Sequence, residues 1–339
     1  MTAVSRTTAV AALACSLAGM VVLAAGMGFI EVSPGEVVAA LSEWLRGAAE
    51  TVDPLKASVV IDVRLPRILC ALLVGFGLAV SGAVFQGLLL NPLADPFTLG
   101  VSSGAAFGAA LSLLLGLAFA GPATLPIMAF LGATATLVAV IAMSGRDGEL
   151  NPANLILAGV IISAILSAGL SFIKYMADER VSVIVFWLMG SFAARTWTDA
   201  VLAGCAVLPG FLACLYFARD LNVMSLGARS ARSLGVDTGK IRLFLLVTAS
   251  LVSAVCVSVS GVIGFVGLII PHLMRMVVGP DNRWLLPASG LGGGILLLAA
   301  DTCTRAVLPQ EVPIGVLTAL IGGPVFCHIF TRSRRKLHG

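Results

Sequence analysis

Long uncharged apolar runs alternate along this chain with short breaks that carry charge, glycine or proline. A helix of about 20 apolar residues crosses a bilayer core. The runs therefore predict spanning helices over residues 10–30, 68–90, 98–120, 124–143, 154–175, 200–217, 241–260, 262–278, 284–300 and 314–330. The eighth is short and contains Pro271, which predicts a broken or strongly tilted helix. The run 181–192 is too short to span and predicts an interfacial or re-entrant helix. The pattern is that of an all-α polytopic membrane protein with about ten transmembrane helices.

Glycine adds a packing signal to this pattern. Gly100, Gly104 and Gly108 recur at every fourth position and line one helix face, where a neighbouring backbone can approach closely. Gly261, Gly264 and Gly267 place similar freedom where the seventh span turns into the eighth. Plain helix packing accounts for both clusters.

Composition mainly excludes alternatives. Of 339 residues, 59% are hydrophobic and 11% charged, against about 25% charged in soluble domains. That balance excludes a soluble enzyme and a disordered scaffold. A net charge of +4, dispersed along the chain, is too small to imply a nucleic-acid partner. The seven cysteines form no C-x-x-C pair and most lie in apolar stretches, as small packing residues do. The first apolar run follows Arg6 as in a signal peptide, but its length of about 22 residues exceeds the usual 7–15 and predicts an uncleaved helix. Basic residues set the topology. Arg219, Arg229, Arg232, Lys240 and Arg242 share one loop, and Arg332, Arg334, Arg335 and Lys336 cluster near the C-terminus. Glu31, Glu36, Glu43, Glu50, Asp53 and Asp62 gather on the opposite side. The positive-inside rule then predicts a cytoplasmic-membrane protein with both termini cytoplasmic.

The span centres hold almost no ionisable residues; Asp301 and Lys174 stand at span ends. Ion-coupled secondary transporters need such groups at mid-membrane, so that class is disfavoured. Gly100–Gly104 matches G-x-S-x-G but opens a glycine-rich helix rather than following a strand, and His272, His328 and His338 are not placed by sequence as its base. An intramembrane enzyme is accordingly a distant alternative. Gly239-Lys240 lacks the rest of a phosphate loop, with Leu234 and Ile241 at the positions that require glycine and Ser or Thr. No metal-ligand cluster is spaced along the chain, and His272 reads as helix-end packing.

The loop 219–242 is more than a connection. It holds Leu221–Gly227 and then Ala231–Val236, two short helical pieces separated by glycine, with apolar faces and basic flanks suited to a cytoplasmic partner. An ordinary positive-inside loop is the simpler reading of these residues alone. Motifs elsewhere extend the pattern: Arg64-Leu65-Pro66-Arg67, Ser81–Gly87, Asn91-Pro92-Leu93-Ala94-Asp95-Pro96, Leu99–Gly104, Gly264–His272 and Pro313–Gly322. In this order, from Arg64 to the C-terminus, they closely resemble the permease subunits of ABC importers for iron–siderophore complexes, haem and cobalamin, the FecCD-type family.

The resemblance implies a type II ABC importer permease fold, with residues 1–339 as a single transmembrane permease domain, an external segment 31–66 and a cytoplasmic coupling loop 219–242. It implies a homodimer or paired permease, two cytoplasmic ATP-binding subunits and an external substrate-binding protein. ATP is then used by the partner ATPases, and this chain binds no cofactor and is not itself an enzyme. Arg64, Arg67 and Arg305 correspond to arginines that meet acids of the binding protein; snorkelling at a membrane boundary is the bland reading of Arg64 and Arg67. Leu226, Gly227, Arg232, Leu234 and Gly235 correspond to coupling helices seated on the ATPases. Asn151, Pro152 and Ala153 correspond to an inner gate, with Pro152 a departure where relatives can carry small hydroxyl residues. The implied substrate is a bulky metal chelate: an iron–siderophore complex first, cobalamin or haem as alternatives. A permease for an unwrapped cation would carry more carboxylates or histidines along its path.

Overall fold

A computed structural model describes residues 3–28, 30–47, 52–145, 150–306 and 311–335. Glu50, Lys336 and His338 lie outside these. Most of the described residues are helical, with no strand among them. Fifteen α-helices follow in order: α1 Ala3–Gly26, α2 Pro34–Arg46, α3 Pro54–Ser58, α4 Leu65–Leu88, α5 Val101–Leu115, α6 Thr124–Ser144, α7 Pro152–Met176, α8 Val181–Leu188, α9 Trp197–Tyr216, α10 Ala218–Met224, α11 Ala228–Ser233, α12 Thr238–Ser260, α13 Val266–Val278, α14 Asn282–Ala306 and α15 Ile314–Arg335.

Among the described residues, seven helical segments are long and apolar enough to cross a membrane, and three shorter apolar helices accompany them: Val101–Leu115, Val266–Val278 and Ile314–Cys327. Each predicted span coincides with one of these ten. The second span differs in extent. It begins at Pro54 rather than Ile68, because α3, a π-helical turn Val59–Arg64 and α4 run on as one 35-residue segment. Arg64 and Arg67, which interrupt the apolar pattern, have partners inside the protein and do not end the helix. The predicted short helix over 181–192 closes at Leu188.

Between α1 and α4 the chain also forms an amphipathic helix, α2. Its capping box joins Ser33 and Glu36 through both backbone and side-chain hydrogen bonds, Pro34 opens it, and Gly47 closes it in the left-handed region. Lys56 Nζ lies 2.7 Å from Glu36 and holds that carboxyl down at about 2. Trp44 of α2 stacks on Trp197 at 5.5 Å, and Trp197 donates to the Ile61 carbonyl at 3.2 Å, which ties α2 to α9 and the π-turn.

Three helices form the centre. The apolar windows of Pro54–Leu88, Thr238–Ser260 and Asn282–Ala306 are 78%, 67% and 72% buried, whereas those of α1, α6, α7 and α9 lie between 17% and 28%. The first set is mostly enclosed by protein and the second is mostly turned outward. Small residues permit the closest crossings. A Cβ on Gly75 of α4 would overlap the Gly293 carbonyl of α14, and one on Gly104 of α5 would overlap Gly132 and Thr136 of α6. Gly104 and Gly108 thus serve the packing expected of them.

Helix α13 is unbroken across Pro271. Proline removes the N–H that would bond the Gly267 carbonyl, and Gln86 of α4 supplies a donor. Its Nε2 lies 3.4 Å from the Gly267 oxygen and 3.2 Å from that of Leu268. Arg275 holds the amide in this orientation by donating to Gln86 Oε1 from both terminal nitrogens at 3.1 Å. His272 therefore sits within α13, half-buried, rather than at a helix end.

Candidate docking and coupling sites

The last carbonyls of α1 have no partners within that helix, and its C-terminal dipole favours cations there. Two arginines from other helices occupy the position. Arg64 donates to the carbonyls of Ala25 at 2.6 Å, Gly26 at 3.0 Å, and Ile30. Arg305, in the last turn of α14, donates to Ala24 at 2.7 Å and to Met27. Arg67 lies beside them and grips Asp301, with Nη2 at 2.9 Å from Oδ1 and Nε at 3.0 and 3.1 Å from the two oxygens. Its other edge meets the half-exposed Glu311 at 3.1 and 3.2 Å. Arg305 Nε stands 3.9 Å from Asp301, an ion-pair separation.

The structure thus brings Arg64, Arg67 and Arg305 together, joining α1, α4 and α14 around one carboxylate. The cluster is largely closed. Arg64 is 5% exposed and Asp301 is fully buried. Charge-assisted hydrogen bonds of this kind are strong, so a partner's acid would have to displace an internal acceptor. Arg67, whose Glu311 contact lies at the rim, is the arginine best placed for such an exchange.

At the other end of α14, Asp281 Oδ1 accepts from the Arg283 amide at 3.1 Å and caps the helix. Arg283 and Asn222 hold the Asp281 carboxyl at about 2. Arg6 near the start of α1 reaches to 3.8 Å. Helices α1 and α14 therefore run parallel, since Arg6 meets the head of α14 while Arg305 at its tail meets the end of α1.

The predicted coupling loop lies beside Asp281. It forms α10 and α11, the two short helices expected, separated at Gly227. Ala218, Leu221 and Met224 are buried beneath α10, and Ala231 beneath α11. Leu226 and Leu234 flank α11 and stand 67% and 66% exposed. Gly227 and Gly235 adopt φ of +99° and +84°, a region that penalises side chains, and reverse the chain at either end of α11. Arg232 is exposed between them. The five predicted coupling residues therefore share one turn-helix-turn, whose two leucines are exposed while Ala231 is buried.

Comparison with known proteins agrees with this architecture. The model of the FecCD transport family matches residues 15–332. The chain belongs to that family. It is similar to the hemin transport system permease protein of Yersinia pestis, 42% identical over 290 residues that cover 82% of this chain and 85% of the relative. It is also similar to the molybdate import system permease protein of Haemophilus influenzae, 39% identical over 316 residues, 93% and 92% of the two chains. Among solved structures, an inward-facing ABC transporter assigned to the metal-chelate type superposes with a TM-score of 0.84 at 36% identity, covering 95% of this chain and 98% of the other. The protein is a multi-pass ABC transporter permease of the FecCD family.

In this permease the three gate candidates form a helix start. Asn151 Oδ1 accepts from the Ala153 amide at 2.9 Å and caps α7. Pro152 occupies the first helical position, where its missing N–H costs nothing. The buried Arg242 of α12 donates to the Leu150 carbonyl at 2.6 Å and seats this start against α12. The gate candidates are placed apart from the arginine cluster, at the end of the bundle where α12 begins.

Sequence reading missed Asn222, Asp281 and Glu311. Asp281-Asn282 ahead of an apolar run is a legible helix-start signal. Nothing local marks Asn222 or Glu311, because their partners come from distant segments.

Proposed function

We propose that this chain is the permease subunit of an ATP-driven importer that carries a metal chelate, an iron–siderophore complex first, inward across the cytoplasmic membrane. It works as one of two permease copies or paired chains, with two cytoplasmic ATPase subunits and an external binding protein, and both its termini are cytoplasmic. The ATPases hydrolyse ATP; this chain holds no cofactor. The observation that carries the reading is the pair of exposed leucines, Leu226 and Leu234, on two short helices that are anchored to the bundle by Ala218, Leu221, Met224 and Ala231. Two large apolar side chains turned outward on the same short loop suit a surface that a partner covers. Closure of the ATPases would push α10 and α11 and open the path alternately to each side. Asn151, Pro152 and Ala153 sit at the inner end of that path as its gate. Arg64, Arg67 and Arg305 frame the outer docking face, with Arg67 exchanging Glu311 for an acid of the binding protein.

Two outcomes test the reading. Leu226→Asp with Leu234→Asp removes two apolar contacts, each worth about 1.5–3 kcal/mol when buried. The ATPase partner is expected to be lost from the purified assembly, while the chain still elutes as folded protein; full retention would remove the coupling assignment. Liposomes bearing the assembly and its binding protein are expected to accumulate a ferric hydroxamate siderophore only when ATP is inside the compartment facing the ATPases. Accumulation of molybdate instead would overturn the chelate assignment, and accumulation of neither molybdate, haem, cobalamin nor the siderophore would overturn the importer reading.

A further inference from the structure

We propose that Asn222 is the residue through which movement of the cytoplasmic loop reaches α14 and α1, a positioning role in transport distinct from the exposed face that meets the ATPase. The proposal rests on the ATP-driven importer reading above.

Helix α10 touches the bundle in two ways. Leu221 lies over Gly87 of α4, an apolar contact without direction, in which the surfaces can slide. Asn222 is different. Its Nδ2 donates to Asp281 Oδ1 at 2.7 Å, and its Oδ1 accepts from the Asn282 amide at 2.9 Å and from Asn282 Nδ2 at 2.7 Å. Both polar atoms of one side chain are thus spent on the two residues that start α14. Hydrogen bonds lose strength steeply as they stretch or bend. A displacement of α10 must therefore carry the head of α14 with it or break all three bonds.

Asp281 passes the connection on. It caps α14 through the Arg283 amide and lies 3.8 Å from Arg6 of α1. At the far end of α14, Asp301 and Arg305 meet Arg67 of α4 and the last carbonyls of α1. Asn222 is thus the loop's polar link to a helix that is held at both ends. The covalent connections of the loop lead elsewhere, back to α9 and forward to α12, so the three bonds of Asn222 give the push a direct hydrogen-bonded route from α10 into α14.

The test uses the complete assembly in liposomes, scored on whichever of ferric hydroxamate, haem, cobalamin or molybdate the wild type accumulates. Asn222→Asp sets a carboxylate oxygen against Asp281 where a donor stood. Bonds to a charged group are strong enough that their loss predicts a fall of about tenfold or more in uptake, with ATP hydrolysis within about twofold of wild type. Adding Asp281→Asn restores a donor to that contact and keeps a side chain able to cap α14; the double variant is expected to recover most of the uptake. Asn222→Ala, which adds no charge, is the second variant and is expected to uncouple in the same sense. Uptake per ATP equal to wild type in either single variant would overturn the proposal, as would failure of the double variant to recover. Failure of the wild type itself to accumulate any of the four probes would instead overturn the reading beneath it.

Discussion

Asp301→Ala is expected to destabilise the permease by about 3–5 kcal/mol, the cost of stripping one partner from a buried ion pair. Asp301 is fully buried, and the side chains of Arg67 and Arg305 are only 11% and 10% exposed. Without the carboxylate, Arg67 keeps only Glu311 at the rim, and two guanidinium groups with Arg64 nearby face each other across a poorly hydrated seam. Their repulsion acts where α1, α4 and α14 meet, so the loss spreads to all three. The signature is that a second substitution helps. Asp301→Leu combined with Arg67→Met removes charge from both sides and is expected to be less damaging than Asp301→Ala alone. Thermal unfolding of the purified chain in mild detergent, followed by size-exclusion profile, reads both. A single variant that melts with the wild type would show that Asp301 does not hold the arginines.

Gly82→Ala is the second large effect. A methyl group at this position of α4 would overlap the carbonyl and Cα of Gly267 at the start of α13. Overpacking of a closed interior costs about 1–3 kcal/mol where neighbours can adjust. Here they are restrained. Gln86, one turn further along α4, holds the Gly267 and Leu268 carbonyls, and Arg275 holds Gln86. Moving α13 away to admit the methyl breaks the bonds that serve the carbonyl left open by Pro271. The expected result is a cost at or above the upper end of that range and a sharp drop in monodisperse protein. Gly19→Ala is the control: nothing lies within 4 Å of a Cβ there, and the better helix propensity of alanine predicts no loss. Equal yields and equal melting for the two variants would refute the α4–α13 argument.

Much of the architecture was legible before any coordinates. The ten apolar segments, the split of the loop 219–242 at Gly227 and the close approach along Gly104 and Gly108 all appear in the structure. Such features are local. In a bilayer a helix must satisfy its own backbone, so hydrophobic length alone reports a span, and glycine at every fourth position marks one face whatever lies opposite. The family motifs were legible for the same reason, as short runs of adjacent residues.

Other features were decided only by tertiary structure. Arg64 and Arg67 interrupt the apolar pattern and read from sequence as the outer edge of a span. The helix in fact runs through them from Pro54, because their acceptors are Ala25, 39 positions before Arg64, and Asp301, 234 positions after Arg67. Asn222 meets Asp281 across 59 positions. Pro271 predicts a break in α13, and the helix continues because Gln86, on another span, supplies the missing donor. By itself the sequence determined which segments enter the membrane, since that depends on the transfer of each segment from water to lipid. Which charges and amides are satisfied, and hence which ends of which helices move together, was decided by the fold, since a buried polar group is settled only by the partner that packing brings to it.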